Sequence, residues 1–182
     1  MKKYLLLLLT AFLYKTSSLT GVDNEPETIG GLFNKVGSKI CEKYGFEFRG
    51  NGTTGMKQID SVCFTFKTSR HLKKKAARKR ILDVTEDVFK LLNEEQNRKF
   101  NFRDFPFTHN NLAIFINCSK NGDYAVFPYV SSTRYLFGKV AFVYYKSSSD
   151  CIPDFEIRET YEEAVRKANE KADEADPVVP KN

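Results

Sequence analysis

The sequence predicts an α+β domain: a predominantly antiparallel sheet of about five strands with helices packed on one face. Three observations carry this expectation. Apolar residues recur at helical spacing in two long stretches, as amphipathic helices require. Between and after them, runs such as Val62-Cys63-Phe64-Thr65-Phe66 alternate like half-buried strands. Turn chemistry, clearest at Asn121-Gly122-Asp123, joins successive runs as hairpins and so favours antiparallel pairing.

The elements follow in order. Leu32, Val36, Ile40 and Tyr44, with Phe33 beside them, form one apolar stripe and predict a helix over 28–44, closed by Gly45. Phe46 to Arg49 reads as a short strand, Gly50 to Gly55 as a flexible connection, and 59–68 as a second strand. From Leu72 the period becomes helical. Ala77, Ile81, Val84, Val88, Leu91 and Leu92 line one face of a helix over 72–94, about 34 Å long. Residues 96–110, with Phe100, Phe102, Phe105 and Phe107, read as a packed connection. Leu112, Ile114 and Ile116 mark a third strand, with further strands near 124–130 and 135–145 and a short one at 155–158. Thr160 and Glu163 have the spacing of a capping box and open a charged helix running to about residue 175.

The front of the chain carries a different pattern. Lys2 and Lys3 precede an apolar run from Leu5 to Leu13 in which Thr10 is the only polar residue, and Thr16-Ser17-Ser18 follows. A basic start, a short apolar centre and small residues behind it are the marks of a secretory signal peptide, here 1–18. The run is about half the roughly 20 residues a membrane-spanning helix needs. The expected organisation is therefore a leader, one domain over 19–176, and a disordered tail over 177–182, in a periplasmic or extracellular protein. Charge is reweighted accordingly. The chain has 29 basic and 23 acidic residues; without Lys2, Lys3 and Lys15 the balance is 26 against 23, or +3. A basic isoelectric point is then no argument for nucleic-acid binding.

Cys41, Cys63, Cys118 and Cys151 form an even set, which in an exported chain permits two disulfides in three connectivities. Their spacings contain no CxxC, so neither a zinc knuckle nor a thioredoxin-type redox pair is supported. Gly50-Asn51-Gly52-Thr53-Thr54-Gly55 matches G-x-G-x-x-G in letters only. A dinucleotide site needs a helix directly after the glycines and an acid about 20 positions on. Here a strand follows, and Lys73-Lys74-Lys75 stands in place of the acid. No cofactor, metal or catalytic set is assigned. Gly52, Thr53 and Thr54 keep one function, as backbone and hydroxyl donors to an anion.

The main candidate surface is the run from Lys67 to Arg80, with eight Lys or Arg residues, His71, and no acid. Much of it falls at the start of a helix, where cations oppose the macrodipole by about 0.3–1 kcal/mol each. Arg70, Lys73, Lys74, Lys75, Arg78 and Lys79 are thus the expected contacts for an anionic macromolecule or lipid surface. The solvated-face alternative is a basic stretch balanced by the acidic C-terminal helix. Two rival functions are a small hydrolase with a Cys or carboxylate near His109, and an envelope structural subunit.

Several short motifs complete the reading. Glu42-Lys43-Tyr44-Gly45-Phe46, Gly55-Met56, Ala77-Arg78, Leu92-Asn93, Asp104-Phe105-Pro106-Phe107-Thr108 and Glu159-Thr160-Tyr161-Glu162-Glu163-Ala164 appear in this order. In them the chain resembles a group of small exported proteins of intracellular bacteria with no assigned activity. The resemblance covers about 42–165, departs at Thr53-Thr54, implies one exported domain, and carries no catalytic residue over. The function expected is a non-enzymatic binding or interaction module.

Overall fold

The computed structural model describes residues 28–55, 57–94, 99–148 and 153–170. The expected leader (1–18), Cys151, residues 171–175 expected to end the last helix, and the expected tail lie outside them. The elements are α1 (Ile29–Tyr44), β1 (Glu47–Thr54), β2 (Ser61–Thr68), α2 (Lys74–Leu92), a 3₁₀ turn (His109–Asn111), β3 (Leu112–Lys120), β4 (Asp123–Tyr124), β5 (Ser132–Leu136), β6 (Lys139–Tyr144), β7 (Phe155–Thr160) and α3 (Tyr161–Asn169). The fold is α+β, with seven strands rather than about five. The order across the sheet is β1-β2-β3-β5-β6-β7, with β4 paired to the end of β3.

Two strands differ from the local reading, and the first difference adds one to the count. The apolar stretch 135–145 is two strands, β5 and β6, folded at Phe137-Gly138; both residues have positive φ, 48° and 82°, as a two-residue hairpin of this twist requires. The expected strand over 124–130 shrinks to Asp123–Tyr124. A further correction concerns Gly50 to Gly55, expected as a loose connection. Residues 50–54 continue β1, because Gly50 to Thr54 find ladder partners in Thr65 to Ser61 of β2, after a bulge between Phe48 and Gly50.

One pair breaks the antiparallel rule. β2 and β3 run parallel, from Val62↔Leu112 to Thr68↔Cys118. The reason is their connection. α2 carries the chain back along the sheet, so the next strand starts again at the same end. The remaining pairs are antiparallel.

The core follows the stripes. Leu32, Phe33, Val36 and Ile40 of α1 and Ala77, Ile81, Val84, Val88 and Leu92 of α2 are buried. They meet Phe64, Phe66, Ile114, Ile116, Tyr135, Val140 and Phe142 of the sheet. Each large apolar side chain so buried contributes about 1.5–3 kcal/mol. Phe33 meets Phe64 edge-on at 5.9 Å, and the Arg78 guanidinium lies 5.4 Å from the Phe142 ring centre. α3 buries Ala164 and sends Lys167 to Glu159 of β7. Its capping box is formed as expected: Thr160 Oγ1 accepts from Glu163 N–H at 3.1 Å and Glu163 accepts from Thr160 N–H at 2.9 Å. No helix among the described residues is long and apolar enough to cross a membrane.

Candidate functional site

The parallel pair decides what sits beside what. β2 and β3 stop at one end of the sheet, at Thr68 and Lys120, and the chain leaving β2 enters α2 there. Leu72 O accepts from Val130 N–H at 2.8 Å, which ties this entry segment to the loop before β5. His71 packs on Tyr129 with ring centres 5.3 Å apart. α2 begins with Lys73 at its N-cap, without a side-chain cap and with no acidic residue in its first turn. The helix dipole adds positive potential to this end.

Two open depressions lie here. The larger, about 690 Å³, is bounded by His71, Lys120, Asn121, Tyr124, Lys146 and Ser147, with Asp123 also on its rim. The second, about 430 Å³, is bounded by Glu47, Lys67, Thr68 and Ser69 and again by Lys120 and Asn121. Lys67 pairs with Glu47 at 3.7 Å and Lys146 with Asp154 at 3.6 Å. Among the described residues Arg70 and Lys120 take part in no ion pair. The arrangement can hold anionic groups, with hydroxyl and amide groups between its cations.

The candidates read from sequence divide in this frame. Arg70 and Lys73 are exposed at the basic end, and Lys74 and Lys75 are half-buried in the first turn of α2. Lys79 is exposed and lies 3.6 Å from Asp83, an i,i+4 pair of the helix surface. Arg80 lies over the rings of Tyr44 and Phe46, at 5.2 and 5.9 Å. Arg78 must be withdrawn as a contact residue. Its side chain is 1% exposed and bonds Glu159 through two nitrogens, at 2.8 and 2.7 Å. Burial alone would raise the Glu159 carboxyl, but the bonds and charges of Arg78 and Lys167 outweigh it, and the carboxyl lies below its ordinary value.

Gly52, Thr53 and Thr54 are exposed, yet they belong elsewhere. Thr54 pairs with Ser61 at the start of β2, whereas Glu47 pairs with Lys67 at its basic end. Six residues of strand, about 20 Å, separate the two expected contact regions. They do not form one surface. Lys120, Asn121 and Lys146 were missed by sequence reasoning, because the expected antiparallel pairing would have placed the far end of β3 beside Ser61, away from the basic run.

The chemistry imagined around His109 also resolves. Its Nδ1 is hydrogen-bonded to the Tyr135 hydroxyl, and its ring packs on Tyr161 at 4.3 Å and Phe89 at 5.2 Å. The hydrogen-bond partner of Nδ1 is thus a phenol, and the Glu162 carboxylate interacts with the ring electrostatically. Burial pushes the Tyr135 hydroxyl well above its usual range. Asp60 pairs with Arg103 at 2.9 Å. Cys41, Cys63 and Cys118 are free thiols, so the disulfides permitted by the count do not form among them. Their positions explain it. Cys63 stands opposite Ala113 and Cys118 opposite Thr68 in the ladder, while Cys41 is on α1. Burial raises all three, Cys118 to about 12. Among the described residues, no three His, Cys, Asp or Glu side chains converge as a metal site. No protein-family model, curated protein or solved structure matches this chain.

Proposed function

We propose that this is an exported, non-enzymatic binding module that contacts an anionic partner through the end of the sheet where β2 and β3 stop and α2 begins. The signal-peptide pattern of 1–18 supports export, as does the resemblance to small exported proteins of intracellular bacteria. The observation that carries the binding reading is Lys120, which among the described residues is in no ion pair and lines an open depression of about 690 Å³, with Arg70, likewise in none, in the chain between Ser69 and His71, which line the two depressions. The helices shield one side of the sheet in this reading and present the α2 N-terminus to the same end.

The test is retention on a sulfated resin in a salt gradient near 0.15 M, where exposed charges act over about 8 Å. Arg70→Glu/Lys120→Glu/Lys146→Glu elutes well before the parent chain while keeping its circular dichroism and melting temperature. A control with equal charge change at Lys39, Lys57 and Lys139 elutes near the parent. Equal elution of the two triple variants would show that retention follows net charge alone, and would end the reading.

A further inference from the structure

We infer that the partner is a linear polysaccharide carrying anionic groups, laid along one trough at this end of the sheet; the inference rests on the anion-binding reading above. Shape comes first. The two depressions, of about 690 and 430 Å³, share Lys120 and Asn121, so they adjoin at the β3–β4 turn and lie in one line across this end of the sheet. Two adjoining concavities suit a chain laid across both; they do not suit a plane.

A membrane surface is disfavoured by a second observation. Interfacial binding uses apolar side chains inserted beside the cations. Among the described residues the exposed large hydrophobic side chain is Phe137, at 49%. Phe137 follows Leu136, which pairs with Ala113 at the start of β3, whereas Lys120 ends that strand. The apolar anchor and the cations are at opposite ends of the sheet.

Chemistry separates the remaining polymers. Single-stranded nucleic acid is held by cations together with aromatic faces open for base stacking. Here Tyr124 is packed against Tyr145 at 5.0 Å and Tyr129 against His71 at 5.3 Å. Neutral hydrogen-bonding groups line the depressions with the cations: Asn121, Ser147 and Ser148 in one, Thr68, Ser69 and Ser119 in the other, with the carboxylates Asp123 and Glu47 one to each. Cations alternating with hydroxyl and amide groups match a chain that alternates charged groups with hydroxyls. Lys67 and Lys146 hold their carboxylates at 3.7 and 3.6 Å, long enough to be exchanged for ligand oxygens, and Lys120 stands between them.

The experiment measures affinity for a size series of sulfated oligosaccharides by titration calorimetry on the chain lacking its leader. Oligo-dT of equal charge, inorganic sulfate and phosphatidylglycerol vesicles serve as comparison probes. Affinity for the saccharides rises with length until the trough is filled, and exceeds that for oligo-dT and vesicles. Lys120→Glu lowers it about tenfold. Asn121→Ala/Ser147→Ala lowers it without changing its salt dependence, which a purely electrostatic patch would not show. If oligo-dT or vesicles bind as well as the saccharides, or length has no effect, the inference falls and the anion-binding reading stands. If no probe binds, both fall.

Discussion

Replacing Arg78 with alanine leaves the Glu159 carboxylate, 2% exposed, without its main partner. The guanidinium supplies two hydrogen bonds at 2.8 and 2.7 Å and covers the Phe142 ring. Lys167 alone remains, 3.1 Å from one oxygen and itself 31% exposed. Removing one partner of a buried pair costs about 3–5 kcal/mol. At about 2–4 °C per kcal/mol for a chain of this size, the melting temperature should drop by roughly 6–20 °C. The assay is urea and thermal unfolding by circular dichroism. Arg78→Met/Glu159→Leu removes both charges at similar volume and should regain most of the loss, because it leaves no buried charge behind. A cost for Arg78→Ala below about 1 kcal/mol, the worth of an exposed pair, would show that water reaches the site and would refute this reasoning. So would a double variant as unstable as the sum of the singles. Any effect of Arg78→Ala on ligand binding should then track the unfolded fraction.

Acid should act on the same pair. Glu159 lies below its ordinary value in the folded state, so its contribution is complete above the unfolded value of about 4.3 and is lost as pH falls through the folded one. Urea midpoints should therefore decline below about pH 4.3, with a shallower decline in Glu159→Gln; a parallel decline would assign the acid loss to other carboxylates. Gly55→Ala should destabilise by at least about 1–3 kcal/mol, because φ is +108° and the added Cβ would lie 1.9 Å from the Gln58 carbonyl oxygen. Gly52→Ala meets nothing within 4 Å and should change stability by no more than about 0.5–1 kcal/mol; similar losses at both sites in denaturant titrations would contradict this backbone geometry. Cys118, buried and raised to about 12, should resist a thiol reagent at neutral pH until urea unfolds the chain, which timed labelling with peptide mapping would show. Labelling of Cys118 as fast as of Cys41 would contradict its burial.

The parts legible in the sequence were those set by local chemistry. The stripe Leu32-Val36-Ile40-Tyr44 placed α1 to within a residue or so, and Thr160 with Glu163 placed the start of α3. The illegible parts were set by pairing across the sheet. Gly50 to Thr54 have poor strand propensity, yet the ladder offered by Ser61 to Thr65 overrides it. The break at Phe137 was hidden because a bulky residue is a poor signal for the left-handed region, and only Gly138 marked it. Arg78 read as one cation of a run because nothing local reveals a partner 81 residues away. The motifs that carry the resemblance prove to be joints of the fold. Arg78 bonds Glu159; Asn93 accepts from Phe107 N–H at 2.6 Å and donates to Phe107 O at 3.0 Å; Tyr44 donates to Asp87 at 2.5 Å.

That observation changes where function should be sought. Residues fully used in holding helices to strands have no bonding capacity left for a ligand. Arg78, Asn93 and Glu159 can be sensitive to substitution without touching one. At this end of the sheet the fold leaves chemistry unconsumed: among the described residues Arg70 and Lys120 are outside any ion pair, and Lys67 and Lys146 hold their carboxylates at 3.7 and 3.6 Å. These residues come from β2, the segment before α2, the end of β3 and the segment after β6. A single topological choice brings them together. Had β3 paired with β2 in the antiparallel sense, Lys120 would lie near Ser61 and the cations would be divided between the two ends of the sheet. Because α2 returns the chain before β3 begins, both strands end beside the positive end of α2. Carboxyl ends of adjacent parallel strands at a helix N-terminus are where open α/β sheets bind ligands. This mostly antiparallel sheet has one such junction, and Arg70 and Lys120 are both there.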